Sequence, residues 1–365
     1  MYKVSIVKCN DYEYKKVEEA VFQCLDCLPE IKERIKPNAK VLIKANLARD
    51  DKPEEAITTH PSVVQAIVKY FHKANCKVII GDSPGAPFGY NKKTLDSVYR
   101  ATGMIDVANN TGCELNYDTS IVEVENENAV CLKRMTVIKI IEDVDLVISA
   151  AKLKTHAMMM YTGAVKNLFG VIPGRLKMNY HLQMLSVDRF SEHIVDICEF
   201  VKPMLSIIDA VEGMEGNGPS AGDKRHAGLI IASENPYALD MTATHIVGIN
   251  PLDVPSINVA VKRNLCTGNI EDVSTPCLGF KDIKIRPFKK PDTSKLGGDA
   301  IPSFKYELCT SCGVCEKSCP PKVIDSSSGK PVIDLDECIK CFCCHELCPN
   351  KAIYIKNRSN MNLGF

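Results

Sequence analysis

The sequence predicts an α/β fold: a doubly wound, mostly parallel sheet with an inserted strand-rich segment, followed by a separate small domain. Three observations predict it. Short apolar runs alternate with amphipathic helical stretches through residues 1–286, the pattern of a parallel sheet covered by helices on both faces. A Pro/Gly/Lys-rich stretch, 287–303, breaks the pattern with little apolar content and reads as a linker. Beyond it, residues 304–365 contain half of the chain's 18 cysteines.

The elements follow in order. Lys3–Lys8 reads as a strand, and the next stretch is a helix with Val17, Ala20, Val21, Cys24, Leu25 and Leu28 on one stripe. Lys40–Ala45 is a short apolar strand. A second helix opens at His60-Pro61, with proline at its first position and Val63, Val64, Ile67, Val68 and Phe71 inward. Strands are expected at Lys77–Gly81, Asp145–Ala150, Leu205–Asp209 and Gly228–Ala232, and helices near Asp188–Val201 and Pro236–Val247. Residues 103–141, rich in Val, Glu and Asn, read as the inserted strand-rich segment.

Composition narrows the function class. Of 365 residues, 45% are hydrophobic and 25% charged, and 45 Lys+Arg balance 45 Asp+Glu. Zero net charge argues against a nucleic-acid binder, which carries a basic excess to neutralise phosphates. No apolar run approaches the roughly 18–20 residues that span a bilayer. The start, MYKVSIVKCN, has no secretory pattern, so a cytoplasmic setting is expected. In such a setting the cysteines are expected to be reduced thiols or metal ligands.

The cysteines of the small domain form an internal repeat. Cys309-x2-Cys312-x2-Cys315-x3-Cys319-Pro320 recurs 29 residues later as Cys338-x2-Cys341-x2-Cys344-x3-Cys348-Pro349. Each run wraps three thiolates around one iron–sulfur cube, and its fourth cysteine reaches across to the other cube. One cluster is thus expected on Cys309, Cys312, Cys315 and Cys348, and a second on Cys338, Cys341, Cys344 and Cys319. Zinc sites pair two C-x2-C knuckles and do not use this doubled four-cysteine run. The segment resembles the bacterial-type ferredoxin with two [4Fe–4S] clusters, a small α+β domain. Cys343 has no place in the ligand pattern and reads as a packed thiol. With eight Lys+Arg against seven Asp+Glu over 304–365, loaded clusters would leave the module acidic. A redox partner protein with a mildly basic docking face is therefore expected.

In α/β sheets ligands bind at the carboxyl ends of strands. Those ends are polar here: Lys44 and Asn46, Asp82 and Ser83, and Asp209. The 42 residues from Leu146 to Val187 contain no Asp or Glu, yet they hold Lys152, Lys154, Lys166, Arg175, Lys177, His156 and His181. Together with Lys44, these five cations are the candidates for holding a small anionic substrate, and Lys154, His156 and His181 the candidates for moving protons. A solvated basic loop is the plainer alternative.

The stretches Ala151-Lys152-Leu153-Lys154-Thr155-His156, Thr162–Gly170 (TGAVKNLFG) and Glu215-Gly216-Asn217-Gly218-Pro219 resemble the family known as domain of unknown function 362. The resemblance covers most of residues 40–250 and implies iron–sulfur redox work, with no established substrate. Other signals are set aside. Gly213-x2-Gly216-x-Gly218 lacks the strand–turn–helix order of a dinucleotide fingerprint, Gly218-x3-Gly222-x-Lys224 misses the Walker spacing, and Cys24-x2-Cys27 sits on an apolar helix stripe.

Two readings follow. In the first the chain is an iron–sulfur oxidoreductase exchanging electrons with an anionic substrate in a basic cleft. In the second it is a ferredoxin-like carrier whose larger domain docks a partner redox enzyme. Oxygen-sensitive clusters and many thiols suggest an anaerobe.

Overall fold

The structure, a computed structural model, describes residues 1–85, 89–183, 186–291 and 300–357. Among these, the central sheet has eight strands. Seven lie in the order Ser5–Lys8, Asp223–Ser233, Leu205–Glu215, Leu146–His156, Lys40–Ala45, Lys77–Gly81 and Glu114–Leu115. The last five are parallel; Asp223–Ser233 runs against them, and so does the short Met160–Thr162 strand paired to Leu146–His156. Alternation places successive side chains on opposite faces. Val41 and Ile43 join the core under helices Tyr14–Asp26, Pro61–Lys73, Lys92–Ala101 and Met104–Thr111. Leu42 joins the core under Val187–Val201, Pro236–Ile246 and Pro255–Lys262. This is the doubly wound, mostly parallel arrangement that the alternation predicts.

The strand expected to end at Ala150 continues to His156, and the one expected to end at Asp209 continues to Glu215. The extension is paired: Lys154 lies opposite Thr162, and Met214 opposite Lys154. The 103–141 segment is strand-rich only in its second half. It opens with helix Met104–Thr111, bracketed by Gly103 (φ +77°) and Gly112 (φ +76°), which supply the left-handed turns. It ends in a separate hairpin of Ile121–Glu125 and Arg134–Ile138.

Cys27 and Cys277 form a disulfide with Cα atoms 6.3 Å apart, contrary to the expectation of reduced thiols. It ties the end of the first helix to a residue 250 positions away. Cys24 is fully buried in the helix stripe, as its spacing predicts.

The small C-terminal unit is built as two similar halves. Ala300–Phe304 pairs with Ile353–Asn357 and Ile324–Asp325 with Val332–Ile333, beside short helices Val314–Lys317 and Cys343–Leu347. Its first strand begins inside the 287–303 stretch. The second half rests on the carboxyl ends of the large sheet: Ala157 packs with Ala300, Phe342 and Ile355, and Arg49 Nη1 donates to the Cys348 carbonyl at 3.4 Å.

Candidate functional site

Where the two units meet there is a cavity of about 130 Å³. Its floor is made of strand ends: Asn46, Ala48 and Arg49 after Lys40–Ala45; Asp82, Ser83 and Gly85 after Lys77–Gly81; and Lys154 on the central strand. Its roof is Cys343, Glu346 and Leu347 from the helix inside the second cysteine run of the small unit, between Cys341 and Cys348. Thr162, Lys166, Asn167 and Phe169 close one side.

The floor is held by a hydrogen-bond chain between strands. Lys44 Nζ lies 2.7 Å from Asp82 Oδ1 and donates to the carbonyls of Ala45 and Asn167, both at 3.0 Å. Asn167 Nδ2 donates to the Lys44 carbonyl at 2.9 Å, and its oxygen accepts from Asn46 Nδ2 at 3.2 Å. Asn46 Oδ1 in turn accepts from Lys154 Nζ at 2.9 Å, and the Ile57 carbonyl accepts from the same ammonium at 2.7 Å. Asn167 is placed by a four-residue helix, Ala164–Asn167, whose first amides are fixed by buried Asp240: Ala164 N–H at 2.7 Å and Val165 N–H at 3.0 Å. Gly163 and Gly170 permit this packing. A methyl at Gly163 would overlap Tyr161 and Asp240, and one at Gly170 would overlap Asp82 and Lys44.

The basic window proves to be buried, not solvated. An acid from elsewhere in the chain serves it: Asp209 pairs with Lys152 at 2.9 Å, as Asp82 pairs with Lys44 outside the window. Lys152 also donates to Tyr12 Oη at 2.6 Å and does not reach the cavity. Lys44 lies below the cavity with its three donors used. Lys177 lines the cavity, but its ammonium is enclosed by the carbonyls of Ser83, Pro84 and Ile172 and by the Ser83 hydroxyl. Arg175 is exposed and lies outside the lining. The His181 side chain lies outside the described residues. Lys154 and Lys166 remain, of the six candidate cations, as those presenting ammonium groups to the cavity with donors to spare. Lys154 is 3% exposed; burial first, then repulsion from Lys166 and Lys152, lowers its pKa to about 7. Burial also lowers that of Lys166, opposed by Glu346.

His156 joins the units. Its Nδ1 accepts the backbone N–H groups of Met158 and Met159 at 3.2 and 3.3 Å, so in the neutral ring Nε2 carries the hydrogen. Nε2 stands 3.1 Å from Glu346 Oε1. The same helix is anchored by Ser220, whose hydroxyl donates to the Glu346 carbonyl. Arg49, Thr162, Ser220, Cys343 and Glu346 were not among the candidates read from sequence. For Thr162 the TGAVKNLFG stretch was the available signal; the roof residues carry none, because nothing local says which face of the small unit docks.

Two smaller cavities lie in the small unit. One is lined by Cys309, Cys312, Cys315 and Cys348, the other by Cys319, Cys338, Cys341 and Cys344. Four thiols converge on each, a donor set that suits an iron–sulfur core. Burial and the neighbouring thiols push the Cys344 thiol well up, so a thiolate there needs a cationic core beside it.

Comparison with known proteins accords with this construction. Residues 41–245 match the family described as domain of unknown function (DUF362), and residues 301–349 match a 4Fe-4S dicluster domain. A thylakoid-associated protein of Synechocystis sp. is 33% identical over 294 residues, covering 79% of this chain and 88% of that protein. Among solved structures, the lactate racemase apoprotein from Thermoanaerobacterium thermosaccharolyticum superposes with a TM-score of 0.41 at 12% identity, over 67% of this chain and 57% of that one. A Thermotoga maritima protein gives 0.35 at 12% identity, over 57% and 52%. The chain thus spans little more than half the length of these two structures. The four-thiol cavities and the dicluster match establish an iron–sulfur electron-transfer role. The chain belongs to the DUF362 family and carries a 4Fe-4S dicluster domain at its C-terminal end.

Proposed function

We propose that the protein is an iron–sulfur oxidoreductase that exchanges electrons with a small anionic substrate bound between its two units. One observation carries the reading: the same cavity has the Lys154 ammonium on its floor, Lys166 at its side and a helix between cluster-ligand cysteines as its roof. Cys309, Cys312, Cys315 and Cys348 would hold one [4Fe–4S] cluster, and Cys338, Cys341, Cys344 and Cys319 the other. Such clusters supply one-electron transfer at low potential. Lys154 and Lys166 hold the anionic group, and Phe169 and Leu347 keep water from the site. Lys154 Nζ, poised near neutrality, holds or releases a proton there. His156 positions Glu346 on the roof. A cytoplasmic, anoxic setting belongs to this proposal, supported by thiol-rich cavities that oxygen would attack.

Anaerobic purification with iron and sulfide analysis tests the cofactor half, with roughly eight iron atoms per chain expected. For the substrate half, Lys154→Ala should abolish the change that small anions cause in the EPR spectrum of dithionite-reduced protein, at unchanged iron content. An unchanged response would overturn the assignment.

A second reading, an electron carrier docking a partner enzyme, is favoured by a separate open groove of about 820 Å³. Lys8, Arg225, Lys281, Lys284 and Arg286 line it, with Asp282 as its acid. Reversing Lys284 and Arg286 to Glu would slow electron exchange with an acidic carrier protein if that groove docks it, and leave the rate unchanged if it does not.

A further inference from the structure

The class of anion can be narrowed by the donors left open and by the apolar part of the wall. This inference rests on the reading of the cavity as an anion site. Of the charged groups on its wall, Asp82 is neutralised by Lys44 and Arg49 by Asp51. The Lys177 ammonium is held by four oxygen acceptors. Lys154 and Lys166 line the cavity with donors to spare, and Glu346 lies on its roof with Oε1 3.1 Å from His156 Nε2.

The open donors are few and specific. Thr162 is only 6% exposed, lines the cavity and has no side-chain hydrogen bond among the described residues. Lys166 has neither a hydrogen bond nor an ion pair among them, and Lys154 has one N–H left after Asn46 and Ile57. Lys154 and Thr162 are register partners on adjacent strands. Phosphate sites draw on runs of free backbone amides. Here the first amides of the helix that follows Thr162, those of Ala164 and Val165, are taken by Asp240. The rest of the wall is apolar: Ile57, Phe169, Met178 and Leu347.

We propose that the cavity takes a small monocarboxylate with a short apolar or aryl body, its carboxylate held by Lys154, Lys166 and Thr162 and its body against Ile57, Phe169, Met178 and Leu347. Two carboxylate oxygens match these donors, and the apolar wall matches a body that a free phosphate lacks.

Equilibrium dialysis of the anaerobic holoprotein tests this with butyrate, benzoate, benzamide and inorganic phosphate as probes. Butyrate or benzoate should bind at one site per chain, and benzamide, the uncharged counterpart of benzoate, at least roughly tenfold more weakly. Lys166→Met should weaken carboxylate binding by roughly tenfold or more, and Thr162→Val by severalfold, with iron content confirming that each variant is loaded. Phosphate binding as tight as that of either carboxylate overturns the monocarboxylate class but leaves an anion site in place. Carboxylate binding unaffected by Lys166→Met, with the iron EPR signal altered instead, assigns Lys166 to the cluster and overturns the proposal. Binding of none of the charged probes overturns both this class and the anion-site reading beneath it.

Discussion

His156 Nε2 stands 3.1 Å from Glu346 Oε1, so a histidine at the end of the central strand meets a carboxylate on the cluster-bearing unit. The histidine is fully buried, and backbone amides fix its tautomer from the other side. Replacing His156 with Ala strips Glu346 of this neighbour and should destabilise the seated unit by about 1–3 kcal/mol. Faster proteolysis within 300–357, with the large unit intact, is the expected readout; an unchanged cleavage rate would refute the anchoring role.

The Lys44–Asp82 pair is inaccessible to solvent and sits beneath the cavity. Lys44→Met leaves Asp82 buried without its counter-ion, and removal of one partner of such a pair costs about 3–5 kcal/mol. Urea unfolding of the anaerobic holoprotein should show the loss as a lower midpoint. A shift below about 1 kcal/mol would mean that the remaining amide donors to Asp82 suffice.

Anion binding should depend on pH through Lys154. Its pKa is lowered to about 7 in the cavity, so the ammonium form needed by an anion is lost as pH rises through that value. Affinity is expected to be flat below about pH 6 and to fall by up to about tenfold per pH unit above neutrality. Lys154→Arg, which stays charged, should flatten the profile. A wild-type profile flat from pH 6 to 9 would exclude Lys154 as the titrating group.

Asp240 has the opposite sign. Burial raises its pKa to about 7, partly offset by the amides of Val165 and Ala164. A carboxyl with a raised folded pKa adds stability fully below its unfolded pKa and loses it as pH rises through about 7. Stability should therefore decline between about pH 4 and pH 7, and Asp240→Asn, neutral throughout, should lessen that slope. Parallel pH profiles for variant and wild type would show that Asp240 titrates normally.

Cys341→Ser and Cys343→Ser should separate cleanly. The first removes a wall thiol of a four-cysteine cavity and should lower iron to roughly half; the second should leave iron unchanged. Equal iron loss in both would place Cys343 among the ligands.

The large fold was legible because periodicity reports burial directly: Val17, Val21 and Cys24, or Val63, Ile67 and Phe71, are buried as their spacing predicts. The site was legible in part. The strand-end residues Lys44, Asn46, Asp82 and Ser83 do gather at one end of the sheet, and the acid-free stretch brings Lys154 and Lys166 to the cavity there, but its charge is partly paired. Local charge counting cannot see Asp82, Asp209 and Glu346, which arrive from other strands and another unit. Arg49, Glu346 and Cys343 were invisible for the same reason, since docking of two folded units leaves no trace in spacing. The Cys27–Cys277 bond joins positions too far apart for sequence patterns to link.

Floor and roof of the cavity come from distant stretches of chain, and the roof helix runs between cysteines that line the two four-thiol cavities. If those cavities hold clusters as proposed, oxidative loss of the inorganic cores would loosen the ceiling, and the proposed chamber and the electron wiring would fail together.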